Sequence, residues 1–364
     1  MRWRAKAAPA RSGPRRPGAG EGMEATHGPP LVEQPLPRPG WLALHTEQAL
    51  EPGLPIVDPH HHFSAHWGGY FGEALAGDLA SGHRVVATVY VQCGLGYRTD
   101  GPPALAPVGE VERVLQIADA AAPLAPATRL CAAIVGFADL QLAEQVDAVL
   151  EAELAAARGR LRGIRRSASR HPAFRYGVLE PPPFGLYADA RLRRGLARLR
   201  QYGLSFDALC FHHQLPELLD LARAFPDQPI VLNHLGAPLG VGPYRGLGAE
   251  VLAAWRASMR ALAACSNVQV KLGGMGMATF GSDFAARDRP PDSHALAEAW
   301  RPYVESCIEL FGADRCMFSS NFPVDKSQCS YAVLWNAFKR LAAGASADEK
   351  RALFHDTAVR CYRL

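Results

Sequence analysis

The chain has 364 residues, 48% hydrophobic and 20% charged, enough for one large α/β domain or two small ones with a sizeable core. Its formal net charge of +4 is carried by the first 22 residues, which hold six Arg or Lys against the single acid Glu21; the rest is close to neutral, so no basic face for nucleic acid is expected. The eight cysteines form no C-x-x-C pair and read as free thiols of a reducing compartment, the cytoplasm, while no run approaches the ~18 to 20 apolar residues of a membrane span.

In chain order, residues 1–40 come first, expected as a basic, Pro/Gly/Arg-rich disordered tail and lead-in. They lack the apolar segment of a secretory signal. Their Arg-rich, acid-poor composition leaves a transit peptide open, with synthesis from Met23 as the plainer alternative. From about residue 40 short β-branched runs alternate with helical stretches. The strands expected are 54–58, 84–92, 130–136, 161–167, 204–210, 229–233, 267–273 and 315–319. Between them lie patterns such as QLAEQVDAVLEAELAAAR, which places Leu142, Val146, Val149 and Leu150 on one helical face. Eight βα units over residues 41–364 fit a (β/α)8 TIM barrel. A doubly wound open sheet is the competing architecture, but the first strand is followed by HHHF, not by a glycine fingerprint. Pro/Gly-rich stretches at 96–109, 178–185 and 285–294 read as rim loops.

Chemistry in a barrel sits at the carboxyl ends of the strands. Collected there are Asp58 and His60, His61 and His62, then Arg165 and Arg166, His212 and His213, Asn233 and His234, Lys271, Asn321 and Asp325. Alternation along LPIVDPHHHF turns His60 and His62 the same way and His61 the other. Two imidazoles so spaced suit one divalent ion, zinc by ligand chemistry, with His212 and His234 placed to complete the shell. The ion would acidify water and polarise a carbonyl. The plainer reading of each histidine is a hydrogen-bonded core residue. Arg165 and Lys271 could hold a substrate carboxylate or form ion pairs inside the barrel. Ser319 and Ser320 lack the G-x-S-x-G elbow of a serine hydrolase.

The stretches DPHHHF, GIRRSA, HHQLPEL, VLNHLGAP, VKLGGMG and CMFSSNFPVDK, with the ending LFHDTAVRCYRL, resemble the amidohydrolase-related family. These are TIM-barrel metal-dependent hydrolases that include sugar lactonases and pyrone-dicarboxylate lactonases. The resemblance, over about residues 40 to 364, implies hydrolysis of a lactone C–O bond or, less often, a C–N bond. It implies metal binding by His60, His62 and His212, with His213 a rival to the last, and assigns His234 to the strand 6 histidine. The family's usual strand 8 aspartate, metal ligand and general base, is replaced here by Asn321. Either Asp325 takes the base role, or the metal is weakly held or absent, as in some lactonases of the family. Asp325, His234 and Asn321 are therefore the catalytic candidates, and a small anionic lactone the expected substrate. A metal-dependent decarboxylase and a non-catalytic binding protein are the alternatives. A homodimer is left open.

Overall fold

The computed structural model describes residues 29–177 and 180–364. Residues 1–28 of the expected tail lie outside that range. Eight strands run parallel and in sequence order: β1 (Pro55–His61), β2 (Arg84–Val91), β3 (Arg129–Gly136), β4 (Leu161–Ser167), β5 (Ser205–Leu209), β6 (Ile230–Leu232), β7 (Val268–Leu272) and β8 (Cys316–Phe318). The ring closes through backbone bonds from His62 N to Phe322 O and from Asn321 N to His60 O, both 2.8 Å. Asp58 reinforces the seam. Its Oδ1 accepts the Ser320 amide at 2.9 Å and its Oδ2 the Tyr331 hydroxyl at 3.0 Å. The eight strands make a (β/α)8 barrel.

Strand alternation sets which residues fill the barrel and which face the helices. Val57, Val89, Val91, Val135, Val231 and Met317 form an apolar inner cluster. Ile56, Tyr90, Phe206, Val270 and Phe318 belong to the larger core around it. The carboxyl-terminal helix Thr357–Tyr362 contributes Ala358 and Tyr362 to the inner cluster. The expected strand windows agree to within about two residues at most ends. β1 is longer than expected and carries its backbone pairing on to His61, so the histidines sit on the strand itself.

One expectation changes. The QLAEQVDAVLEAELAAAR helix begins as a 3-10 segment, Leu140–Val146, broken at Ala143 (φ 55°), and becomes α-helical only over Asp147–Ala156. Asp139 captures the Gln141 amide at 3.1 Å, an alternative turn that competes with the helix. Residues 29–40, assigned to the lead-in, lie against the barrel rim. Leu31–Val32 pairs in parallel with Arg175–Tyr176, and Arg38 Nη2 donates to Ala285 O at 2.5 Å.

Candidate active site

The three histidines divide as the alternation requires. His60 Nε2 lies 3.2 Å from His62 Nε2, inside the barrel. His61 turns outward to Phe63 and Tyr90, with its Nε2 3.1 Å from Thr88 Oγ1. Burial pushes the pKa of His60 and His62 well below the usual imidazole value and that of His61 to about 3, so all three are neutral near pH 7.

Neutrality fixes the protons. His62 Nδ1 lies 2.7 Å from Val91 O, and a carbonyl only accepts, so Nδ1 carries the hydrogen. His62 Nε2 is then bare and accepts from His60 Nε2. That leaves His60 Nδ1 bare, facing Lys271 Nζ at 3.4 Å. Lys271 in turn donates to Asp207 Oδ2 at 2.8 Å, which also accepts from Tyr362 Oη at 2.9 Å and Asn233 Nδ2 at 3.1 Å. One directional chain of hydrogen bonds thus runs from Lys271 through both imidazoles to Val91. Lys271, a candidate for substrate binding, has its side chain wholly buried in an ion pair with Asp207, with Nζ 3.4 Å from His60 Nδ1.

Arg165 differs. It is 8% exposed, donates to Gln92 O, and has a buried Nε without a partner. No carboxylate among the described residues forms an ion pair with it. Burial lowers its pKa, and Glu110 opposes this from a distance. Glu110 itself is held by the Tyr90 hydroxyl and the Cys93, Gly94 and Leu95 amides at 2.7–3.1 Å. Burial, and after it the charge of Arg165, lowers the pKa of His62 and His234; the Gln92 carbonyl that Arg165 binds follows directly on the Val91 carbonyl bound by His62.

Asp325 sits after β8, 1% exposed. Its Oδ1 accepts from Asn321 Nδ2 at 2.8 Å and its Oδ2 from Gly276 N at 3.0 Å. Burial outweighs these bonds and pushes its pKa up to about 7. Asn321, at φ 53°, occupies the left-handed region that asparagine tolerates. It orients Asp325 and, through its own amide, closes the barrel. His234 lies on the other side of the same glycine-rich loop, its ring 4.5 Å from His60 and its buried Nδ1 without a partner. A Cβ on Gly274 would stand 2.2 Å from that Nδ1, and one on Gly276 would stand 2.8 Å from Asp325 Cα. The glycines after β7 therefore let backbone press against both residues.

His212 is placed elsewhere. β5 ends at Leu209, and His212 opens a 3-10 turn that carries it to the Leu239 amide (3.3 Å to Nδ1) and the Tyr244 ring (4.8 Å). Burial takes its pKa to about 4, with the neighbouring His213 and His171 adding to the shift. His213 joins the same rim cluster, stacked on Phe211 and Tyr244. No hydrogen bond or ring pairing joins either of them to His60 or His62. Among the described residues no group of three or more His, Cys, Asp or Glu is arranged to hold an ion. The pair does fit: two nitrogens each ~2.1 Å from a tetrahedral zinc stand about 3.4 Å apart, near the 3.2 Å between His60 and His62. An ion there would displace the proton the two nitrogens share.

A first prediction follows from His61. His61→Asn is expected to lower stability by about 1 to 3 kcal/mol, the cost of a lost buried hydrogen bond, and to leave turnover per folded molecule near wild type. Urea melts set beside active-site-normalised rates check it, and a rate collapse with unchanged melts would place His61 in the site.

The comparisons agree with this architecture. The amidohydrolase family model matches residues 57–364. An L-fucono-1,5-lactonase of Burkholderia multivorans is 33% identical over 235 residues, covering 64% of this chain and 72% of that protein. An uncharacterized protein of Sinorhizobium fredii is 38% identical over 231 residues, covering 64% and 69%. A crystal structure of an amidohydrolase from Burkholderia multivorans with bound zinc matches with a TM-score of 0.65 at 27% identity, over 85% of this chain and 99% of that one. A putative 2-pyrone-4,6-dicarboxylic acid hydrolase of Pseudomonas putida shares the fold at 22% identity and a TM-score of 0.54. With the family model spanning the barrel from its first strand to the carboxyl terminus, this chain belongs to the amidohydrolase family.

Proposed function

We propose that the protein hydrolyses a small lactone bearing an anionic group. The observation that carries this reading is Arg165, a buried guanidinium without a carboxylate partner among the described residues, bound to the Gln92 carbonyl next in sequence to the Val91 carbonyl that holds His62. An anionic substituent pairs with Arg165. The ring carbonyl then sits against His60, His62 and His234, none of which competes as a cation. Asp325, with its pKa near 7, takes a proton from the attacking water. Neutral His234 offers its N–H to the carbonyl oxygen as charge gathers there. The ring oxygen departs and receives from Asp325 the proton taken from water, so the hydroxy acid forms and the base is restored. The relatives described as lactonases support the same bond type.

A divalent metal belongs to this reading, zinc being the choice the imidazole pair favours. His60 and His62 would hold it, and when bound it would polarise the carbonyl or acidify water. Elemental analysis of the purified protein is expected to show about one equivalent of zinc or a similar ion, lost in His60→Gln and His62→Gln and kept in His212→Gln. Retention in the first two variants would place the ion elsewhere. The eight unpaired cysteines fit a reducing compartment such as the cytoplasm; no described helix is long and apolar enough to cross a membrane.

The test of function is a panel of sugar lactones and pyrone dicarboxylates followed by acid release at constant pH, with carbon dioxide release from aromatic carboxylates measured in parallel. Acid release supports hydrolysis; carbon dioxide without acid release would move the chain to the decarboxylase alternative. Within the panel, Arg165→Ala is expected to lower kcat/KM for anionic lactones by about 10- to 100-fold, since hydrogen bonds to charged groups contribute roughly 1.5 to 3 kcal/mol. Neutral lactones should be little affected. An equal loss for both classes would remove Arg165 from anion recognition.

A further inference from the structure

The amino-terminal strap reaches the active site through one side chain. Gln34 Nε2 donates to Gly276 O (3.2 Å), Val324 O (3.1 Å) and Ser327 Oγ (2.8 Å). Its Oε1 accepts from the Ala278 amide (2.7 Å) and the Tyr176 hydroxyl (3.2 Å). A single carboxamide thus joins three separate segments: the glycine-rich loop after β7, the Asp325 loop after β8, and the Arg175–Tyr176 strand that pairs with Leu31–Val32. The two loops it joins are those that hold the candidate base. Gly276 gives its N–H to Asp325 Oδ2 at 3.0 Å while its carbonyl accepts from Gln34. Val324, the other carbonyl acceptor, immediately precedes Asp325. Residue 34 also lies ahead of the residues 57–364 that match the family model, so nothing in that match assigns it a role.

We propose that Gln34 is a positioning residue for Asp325, holding the peptides on both sides of its carboxylate so that the base meets the substrate in one geometry. The proposal rests on the reading of Asp325 as the base. The carboxamide is suited to the task because it donates and accepts at once. The donors alone would leave Tyr176 unattached, and the acceptor alone would leave the Asp325 loop unattached. Gln34 is only partly buried, so water can replace its bonds when it is removed. The fold should stand while the spread of Asp325 positions widens, and a small misplacement of a catalytic group is costly to rate.

The experiment compares full-length wild type with Gln34→Met, which keeps the length and loses every hydrogen bond, and Gln34→Glu, which keeps the acceptors and loses the donors. Amide hydrogen exchange and steady-state kinetics are measured on each. In Gln34→Met the amides of Gly276, Ala278 and Asp325 are expected to exchange at least tenfold faster. kcat is expected to fall about tenfold with KM within about twofold. Gln34→Glu should retain protection at Ala278, whose amide it can still receive, and lose it at Gly276 and Asp325. Unchanged exchange at these amides overturns the proposal, as does a wild-type kcat in Gln34→Met or a loss of rate that appears only in KM. If wild type turns over no lactone, the functional reading fails, and the exchange arm alone decides whether Gln34 holds the loops.

Discussion

Asp325→Asn is expected to cut kcat by about 100- to 10,000-fold, the usual contribution of a positioned general base, while the protein stays folded. The carboxylate is 1% exposed and its pKa is raised by burial from 3.8 to about 7, against hydrogen bonds from Gly276 and Asn321 that lower it. A base must be unprotonated, so kcat/KM of the wild type should rise with pH up to about 7 and level off above it. Stability moves in the opposite sense. A folded-state pKa above the unfolded value means that the folded protein binds this proton more tightly. The resulting stabilisation is complete below about pH 4 and lost as pH rises through about 7. A shift of about three units corresponds to about 4 kcal/mol at most. The base is therefore kept at a cost to stability at working pH, the usual trade-off at an active site. In Asp325→Asn this part of the pH dependence should vanish. Initial rates and urea melts between about pH 5 and about pH 9 measure both arms. Wild-type rates in the variant, or an unchanged pH slope of the melts, would take Asp325 out of the base role.

The strands were readable because barrel strands buried on both sides are continuous β-branched runs, and VVATVYV and PIVLN show this directly. The outward turn of His61 followed from period-two alternation alone. His212 did not follow, because the chain leaves β5 at Leu209 and turns into a 3-10 segment before reaching it. The strand period carries no information past the last paired residue. Asp207 was within reach of sequence reasoning. It is a lone acid between Phe206 and Ala208 in an apolar strand, and alternation aims it inward. Its partner Lys271 lies 64 residues further on, and local patterning does not pair residues at that separation. The strap was hidden for a different reason. Proline, glycine and charge mark a segment that cannot build a core of its own, yet residues 31–38 need none, since Gln34 and the Leu31–Val32 pairing attach them to a surface other elements supply.

Lys271→Met is expected to be the most destabilising of these substitutions, by about 3 to 5 kcal/mol. Asp207 and Lys271 are both 0% exposed, with 2.8 Å between Nζ and Oδ2. Methionine fills much the same volume but leaves the Asp207 carboxylate buried with only the neutral donors Asn233, Tyr362 and Ser205. An uncompensated buried charge costs more than the pair contributes when intact. The double variant Asp207→Asn/Lys271→Met removes both charges and should regain most of the lost stability, so the double-mutant cycle should show strong coupling. Activity should not return with it. Lys271 also donates to His60 Nδ1 at 3.4 Å, and this bond sets the proton between His60 and His62. Without that donor His60 can carry its hydrogen on Nδ1, and the single arrangement of the two imidazoles is lost. Stability that recovers while kcat stays low separates the two duties of Lys271. A single variant that melts with wild type would show that the pair carries no stability. A double variant that recovers both properties would show that the contact with His60 has no part in turnover.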